Sequence, residues 1–120
     1  MKATSILASG SVPVELPFLK FDHERIIDST GALTIPEIPG HLVVVGGGVI
    51  GMELGSVWLR LGAKVTVLEY LNRILPGMDN EMADEALKIF KKQGIEFRLG
   101  SKVLSAAVEG EECIVECEGA

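Results

Sequence analysis

The most informative part of the sequence is Val43-Val44-Val45-Gly46-Gly47-Gly48-Val49-Ile50-Gly51, because an apolar strand pattern meets the GxGxxG spacing there and passes directly into a helical pattern. Each glycine of that spacing has a physical reason. Gly46 permits a tight turn, Gly48 has no side chain to block a pyrophosphate, and Gly51 lets the helix pack close to the strand. The N-terminus of the helix offers unpaired N–H groups and the positive end of its dipole to phosphate. GxGxxG alone is a weak signal, so the flanking sequence matters.

The sequence around the motif predicts an α/β fold of the Rossmann type, with a parallel sheet and an antiparallel β-hairpin flap. An acidic Glu109-Gly110-Glu111 turn joins the two strands of the hairpin. We expect the closing parallel strand of such a sheet to be missing after the hairpin. The predicted elements are a strand at 42–45, a helix from about 48 to 61, a strand at 64–68, a helix from about 80 to 93, a strand at 95–99, and hairpin strands at 103–108 and 113–117.

Both predicted helices carry an apolar stripe at helical spacing, and such a stripe indicates the face that a helix buries. The stripe of the first helix is Ile50, Leu54, Val57, Trp58 and Leu61, and that of the second is Met82, Ala83, Ala86, Leu87 and Phe90. Each helix is followed by a glycine, Gly62 or Gly94, which is typical of a helix C-terminus. We expect the two stripes to contribute to the core.

Glu69 strengthens the prediction of a dinucleotide site, because it stands at the end of the second predicted strand. An acid at this place in the fingerprint can accept hydrogen bonds from the adenosine ribose. The same carboxylate repels the 2′-phosphate of NADP, so NAD is the predicted cofactor. Arg73, a few residues later, could instead accommodate that phosphate, although a solvated or packing charge is the interpretation we favour.

Composition limits the classes of partner. The chain has 120 residues, a mass of 12.8 kDa and a net charge of −6, which is typical of one soluble globular domain. The acidic balance argues against nucleic acid and anionic membrane as main partners. No apolar run approaches the roughly 20 residues that span a bilayer. Residues 1–17 are expected to be structure rather than a signal peptide, because Ser and Thr interrupt their apolar character.

The two cysteines, Cys113 and Cys117, fall in one alternating strand pattern. Four residues of strand separate their Cα atoms by about 13 Å, well beyond the roughly 7 Å that a disulfide tolerates. We therefore expect two small buried apolar side chains and no disulfide. Nothing else argues for an oxidising compartment, so the cytoplasm or an organelle matrix is the expected location.

These motifs together resemble the NAD-binding region of the flavoprotein disulfide reductase family, in particular its dihydrolipoamide dehydrogenases. The most specific stretches are Gly51–Trp58 and Arg73–Asp79, and the resemblance covers nearly the whole chain. Ser5–Ser11 is similar to the segment by which the family leaves its FAD domain, and Ser29–Leu33 is similar to the lead-in to its NAD domain. The resemblance implies that residues 1–40 are a remnant of the FAD-domain exit strand and linker. Residues 41–120 would be an NAD-binding domain that is incomplete at its C-terminal end.

The resemblance also implies a set of cofactor-binding residues. Glu53 matches a family glutamate near the nicotinamide, although a first-turn acid stabilised by the helix dipole is an equal alternative. Val103 matches a valine whose backbone lines the adenine pocket, and its alternative role is the first apolar residue of a strand. The full candidate set is Gly46, Gly47, Gly48, Val49, Ile50, Gly51, Glu53, Glu69 and Val103.

The chain departs from the family where the chemistry is done. It has no CxxxxC disulfide and no second GxGxxG for FAD, and His23 and His41, which we expect in linkers, lack the family's acid partner. We therefore expect no catalytic residue and no metal site here, with FAD only in a parent enzyme. The predicted role is to bind NAD(H) and to position the nicotinamide for hydride transfer from reduced FAD.

Two alternatives keep the fold and change the role. One is the NAD module of another disulfide reductase or of an NADH oxidase. The other is a non-enzymatic dinucleotide-binding or dimerisation domain that uses the hairpin and the exposed sheet edge. The expected partners are NAD(H) and the remainder of a parent flavoenzyme, with a homodimer as a further hypothesis. Ser5–Gly10 reads as a short strand that could fill the vacant sheet position, in its own molecule or in a neighbour's.

Overall fold

The computed structural model describes residues 4–119 and confirms the predicted α/β class. A short 3-10 helix, Gly31–Leu33, precedes the main elements. These are β1 His41–Val45, α1 Val49–Leu61, β2 Lys64–Glu69, α2 Asn80–Gln93, β3 Glu96–Leu99, β4 Ser101–Glu109 and β5 Glu112–Gly119. Each helix and strand predicted from Leu42 onward is present, with small shifts at the ends.

β1, β2 and β3 form a parallel sheet in that order, and β4 and β5 form a separate antiparallel hairpin. β2 is the central strand, so its residues alternate between two buried faces. Val65 and Val67 pack with residues of the helices, whereas Leu68 packs with Val103 of the hairpin. The sheet therefore has a helix-facing side and a hairpin-facing side.

The helices begin and end where their local chemistry predicts. The Asp79 carboxylate accepts the N–H groups of Glu81 and Met82 and so caps α2. Gly62 and Gly94 each adopt a left-handed conformation, with φ of 114°, immediately after α1 and α2. Most residues resist that conformation because of their Cβ atom, so glycine at these positions ends the helix cleanly.

The buried face of α1 differs from the predicted stripe. Ile50, Val57 and Leu61 are exposed by 60%, 46% and 50%, so their placement in the core was wrong. The buried residues of α1 are Met52, Gly55, Ser56 and Trp58. Gly51 and Gly55 face β1 and β2, and their missing side chains let α1 approach the sheet closely. Ile50, Val57 and Leu61 therefore lie on the outer side of α1. In α2, Met82 is likewise exposed, by 65%, whereas Ala83 is buried.

The N-terminal segment does not complete the parallel sheet of its own molecule. Residues 4–15 form no strand, and Ile6 and Leu7 are exposed by 88% and 95%. The strand predicted at the start of the chain is therefore wrong, because the segment packs against no apolar surface that would favour it. Packing begins further on, where Leu19 joins Leu68 and Val103 in a buried cluster. Pairing of the segment with a neighbouring molecule stays a prediction.

The structure also tests the predictions made for the two cysteines and for His41. Cys113 and Cys117 are free, as predicted, but Cys113 is exposed and Cys117 half-buried, so the expected burial was wrong. Cys113 shares one face of β5 with Val115 and Cys117, but it lies next to the turn at Gly110, where that face is exposed. His41 is not a linker residue, because it starts β1 and its Nε2 lies 2.9 Å from Thr66 Oγ1.

Neither helix of the described range combines the length and apolarity that a membrane crossing requires.

Candidate functional site

The glycine-rich turn between β1 and α1 has the backbone geometry that its spacing predicts. Gly46 adopts φ of +109°, a conformation open mainly to glycine. A Cβ on Gly51 would run into the carbonyl oxygen of Gly46 and lie 3.1 Å from Val44 Cγ1, so the close approach of α1 to β1 requires glycine there. A Cβ on Gly48 would meet nothing within 4 Å. The missing side chain of Gly48 thus leaves accessible space beside the helix start.

The N-terminus of α1 opens onto that space. Gly48 is the N-cap with extended backbone and no side-chain cap, and Met52 N–H donates to Gly48 O at 3.0 Å. The N–H groups of the residues between them precede this bond and have no partner within the helix. Val49 and Ile50 are exposed by 46% and 60%. An anion could therefore reach these N–H groups and the positive end of the helix dipole.

Glu69 joins the end of β2 to the glycine-rich turn. Its Oε2 accepts the N–H of Gly47 at 2.6 Å, and its Oε1 accepts the N–H of Leu71 at 2.8 Å. The side chain is half-buried and therefore held in one place. Because each carboxylate oxygen can accept more than one hydrogen bond, Glu69 retains acceptor capacity for a ligand.

The structure supplies a reason for Gly47 that the sequence did not reveal. A Cβ on this residue would lie 3.0 Å from Ile74 Cγ2 and 3.4 Å from Glu69 Oε2. Any larger residue would press the turn away from both neighbours. The turn, Glu69 and the loop after β2 thus meet at Gly47. The requirement for glycine at this position comes from contacts between segments that are distant in the sequence.

The loop after β2 packs on the same turn. Leu75 N–H donates to Gly47 O at 2.8 Å. Arg73 lies within this loop and is half-buried. Its Nη2 donates to Met78 O at 2.7 Å and to Leu75 O at 3.3 Å, and its Nη1 donates to Asn80 Oδ1. Its observed contacts agree with a packing role.

The two remaining predicted residues, Glu53 and Val103, belong to α1 and β4. Glu53 is exposed and falls in the second turn of α1, and the first turn contains no acidic residue, so its interpretation as a first-turn acid was wrong. Val103 is 6% exposed and packs with Leu19 and Leu68 on the hairpin-facing side. Its side chain therefore serves the core. The structure brings the glycine-rich turn and Glu69 together, and the cofactor roles expected of Glu53 and Val103 stay predictions.

The surroundings of the turn limit other chemistry. A cleft of about 1360 Å³ runs along the outer edge of β1, and its lining includes Gly46, Gly48 and Ile50. Glu69 lies outside this cleft. Within residues 4–119, no group of His, Cys, Asp or Glu side chains is arranged to hold a metal ion. The polar chemistry at the turn is therefore that of backbone N–H groups and one carboxylate.

This arrangement defines a Rossmann-type βαβ unit with a glycine-rich turn between β1 and α1. The chain belongs to the pyridine nucleotide-disulphide oxidoreductase family, whose model matches residues 3–119. It is 55% identical over 113 residues to dihydrolipoyl dehydrogenase 3 of Pseudomonas putida, covering 92% of this chain and 24% of that protein. It is 57% identical over 101 residues to dihydrolipoyl dehydrogenase 3 of Pseudomonas aeruginosa, covering 84% and 22%. The chain thus spans about a quarter of the length of these curated relatives.

A solved structure agrees with this family. The HOCl-induced flavoprotein disulfide reductase RclA from Escherichia coli superposes with a TM-score of 0.82 at 34% sequence identity. The match covers 94% of this chain and 26% of that one. The resemblance drawn from the sequence motifs, to the flavoprotein disulfide reductases and to dihydrolipoamide dehydrogenase in particular, is confirmed.

Proposed function

We propose that this chain is the NAD(H)-binding module of a dihydrolipoamide dehydrogenase, and that it holds the nicotinamide for hydride transfer from reduced FAD of the same enzyme. The observation that carries the proposal is the hydrogen bond from Gly47 N–H to Glu69 Oε2, at 2.6 Å. It couples the phosphate-binding turn to the acid expected at the ribose. The names of the relatives, dihydrolipoyl dehydrogenases at 55% and 57% identity, support the choice of enzyme.

Backbone groups would hold the pyrophosphate. The space beside Gly48 admits it, and the N–H groups of Val49, Ile50 and Gly51 donate to its oxygens. Gly46 shapes the turn and makes no contact through a side chain. Bound NAD supplies an electrophilic nicotinamide that accepts the hydride. The residues of this chain contribute binding and orientation, and the reacting groups belong to the rest of the enzyme.

Glu69 would read the adenosine ribose. Its two oxygens lie beside the turn and can accept hydrogen bonds from the two ribose hydroxyls. A 2′-phosphate would bring like charges together at short distance, so NAD(H) is preferred over NADP(H). Val103 would contribute to the adenine pocket through its backbone only, because its side chain is buried.

The domain boundaries belong to the same proposal. Residues 41–120 would form the NAD-binding domain and residues 1–40 the passage from the FAD domain. Glu53, which is exposed on the second turn of α1, would face the nicotinamide and pair with a lysine of the FAD domain. The module would therefore work with the remainder of a flavoenzyme as its partner.

Calorimetric titration of the purified chain with NADH and NADPH tests the proposal. Saturable binding of NADH, at least 10-fold tighter than that of NADPH, is expected. Gly48→Ala should weaken NADH binding at least 10-fold without unfolding the chain, because its Cβ enters only the space meant for the pyrophosphate. Gly40→Ala is the matched control, since a Cβ there also meets nothing within 4 Å. Unchanged affinity in Gly48→Ala, or no NADH binding by the folded wild-type chain, would overturn the proposal.

A second candidate is the NAD module of another flavoprotein disulfide reductase. The TM-score of 0.82 with RclA favours keeping this option. The two candidates share the cofactor and differ in the disulfide that the whole enzyme reduces or forms. The activity of the full-length enzyme with dihydrolipoamide and NAD separates them, because only a dihydrolipoamide dehydrogenase turns that pair over efficiently.

A further inference from the structure

The loop of residues 70–79 between β2 and α2 supports the glycine-rich turn from the side. Leu75 N–H donates to Gly47 O at 2.8 Å, and Ile74, which is 1% exposed, packs where a Cβ of Gly47 would be. Gly47 N–H points to Glu69 at the same time. The position of the turn therefore depends on how this loop is held.

Leu75 holds a backbone conformation that needs support. Its φ is +49°, in the left-handed region that a leucine rarely adopts. The carbonyl of Leu75 accepts two hydrogen bonds, from Met78 N–H at 2.9 Å and from Arg73 Nη2 at 3.3 Å. Both bonds fix the peptide that follows the strained residue. Arg73 is the side chain that supplies one of them.

Arg73 connects three acceptors that lie in different directions. Nη2 donates to the carbonyls of Leu75 and Met78, and Nη1 donates to the side chain of Asn80, the first residue of α2. Arg73 Nε is buried and has no hydrogen-bond partner among the described residues. The two terminal nitrogens of the planar guanidinium reach these three separated acceptors together. The single Nζ of a lysine could not bond to all three in the same way.

We propose that Arg73 is a positioning residue for the dinucleotide site: its guanidinium holds the 70–79 loop in place, keeps Leu75 N–H on Gly47 O, and so orients the turn and Glu69. Arg73 makes no contact with the cofactor in this role. It is neither a solvated charge nor a ligand for a 2′-phosphate. The part that concerns the cofactor rests on the proposed function, whereas the part that concerns the loop does not.

Hydrogen exchange of the ligand-free chain, followed by NMR, tests the loop directly. Arg73→Ala and Arg73→Lys should each speed exchange of the Leu75 and Gly47 amides about 10-fold or more, while the Val67 amide in β2 keeps its rate. Arg60→Ala, at the exposed end of α1, is the matched control and should leave all three rates unchanged. Wild-type rates in Arg73→Ala, or full rescue by Arg73→Lys, would overturn the proposal. The Val67 rate shows in each variant whether the fold is retained.

Titration of the same variants with NADH and NADPH tests the connection to the site. Arg73→Lys should weaken NADH binding about 5-fold or more and should not weaken NADPH binding selectively. A selective loss of NADPH binding would mean that Arg73 contacts the 2′-phosphate, and it would overturn the positioning role. If the wild-type chain binds neither nucleotide, the proposed function fails, and the cofactor part of this inference fails with it. The exchange rates still decide whether Arg73 holds the loop.

Discussion

The helix-facing side of the parallel sheet is closed by residues from α1, α2, the strands and the 70–79 loop, whereas the hairpin-facing side depends on Leu19, Leu68 and Val103. Met52, Val65, Val67 and Ile74 on the first side are exposed by 2% or less. The two faces of one sheet thus differ in how much core they bury and in where their partners come from.

The two faces differ in whether their packing partners are close or distant in the sequence. The helix-facing core joins helices and strands that follow one another along the chain, and such consecutive elements are usually adjacent in space. The hairpin-facing cluster needs Leu19, which lies far along the chain from Leu68 and Val103. The same side carries a polar contact, His41 Nε2 at 2.9 Å from Thr66 Oγ1, although Thr66 is 4% exposed. We expect the helix-facing side to dominate the free energy of unfolding.

The largest expected effect is the loss of core on the helix-facing side. Met52→Ala removes a side chain that is 2% exposed, and it should lower the free energy of unfolding by about 2–5 kcal/mol through lost burial and a residual cavity. Urea denaturation followed by circular dichroism measures the change. Met78→Ala is the control, because Met78 is 48% exposed. A change below about 1 kcal/mol in Met52→Ala would remove the basis of the comparison.

A smaller effect is expected on the hairpin-facing side. Leu19 is 9% exposed and belongs to the thinner cluster, so Leu19→Ala should cost about 2 kcal/mol, at the low end for such truncations. The same denaturation experiment measures it. If Leu19→Ala destabilised the chain as much as Met52→Ala, both faces would be equally well packed.

The indole of Trp58 ties the segment before β1 to α1. Trp58 Nε1 donates to Ala32 O at 3.0 Å. Trp58→Phe keeps an aromatic ring in the core and removes the donor, so we expect a loss of about 1 kcal/mol. The substitution removes the one tryptophan of the chain and with it the tryptophan fluorescence, so unfolding is followed by circular dichroism. Hydrogen exchange should show loosening at Thr34 and not at Val67. Equal loosening at both amides would contradict this assignment.

The smallest effect concerns pH and the hairpin-facing side. The N–H groups of Glu24, Ile26 and Arg25 donate to Asp22 Oδ1 at 2.9, 2.7 and 2.8 Å, and these bonds hold the pKa of the Asp22 carboxyl below its ordinary value. A lowered native pKa means that the stabilisation is complete above the ordinary pKa of about 3.9 and is lost as pH falls through the lowered value.

Because Asp22 is exposed, its contribution is small and local. Exchange at the Ile26 amide should rise, relative to the Val67 amide, as the pH falls below about 4. Asp22→Asn should abolish this pH dependence. If it persisted in the Asn variant, another group would control this segment.

The sequence predicted the elements well because their signals are local. Asp79 caps α2, Gly62 and Gly94 end the helices, and the alternating pattern marks the strands. The same locality explains the glycine-rich turn, in which Gly46 must have positive φ and Gly51 must lack a Cβ. Each of these properties belongs to one residue and its immediate neighbours.

The errors share one physical cause. Ile50, Val57 and Leu61 form a good apolar stripe, yet they are exposed because the close approach at Gly51 selects a different face of α1. The N-terminal apolar residues, such as Leu7, resemble a strand, but residues 4–15 pair with no strand among residues 4–119. Periodicity describes which residues share a face, and it does not specify what that face meets.

The amino-acid sequence alone determined the α/β order, the ends of the helices, the turn and the family resemblance, because backbone preferences and glycine geometry act over a few residues. Tertiary structure alone decided the rotation of α1, the contact of Gly47 with Glu69 and Ile74, and the inward contacts of Arg73. These features arise where segments distant in sequence approach within a few ångströms. Their energies depend on distances between those segments that no local pattern encodes.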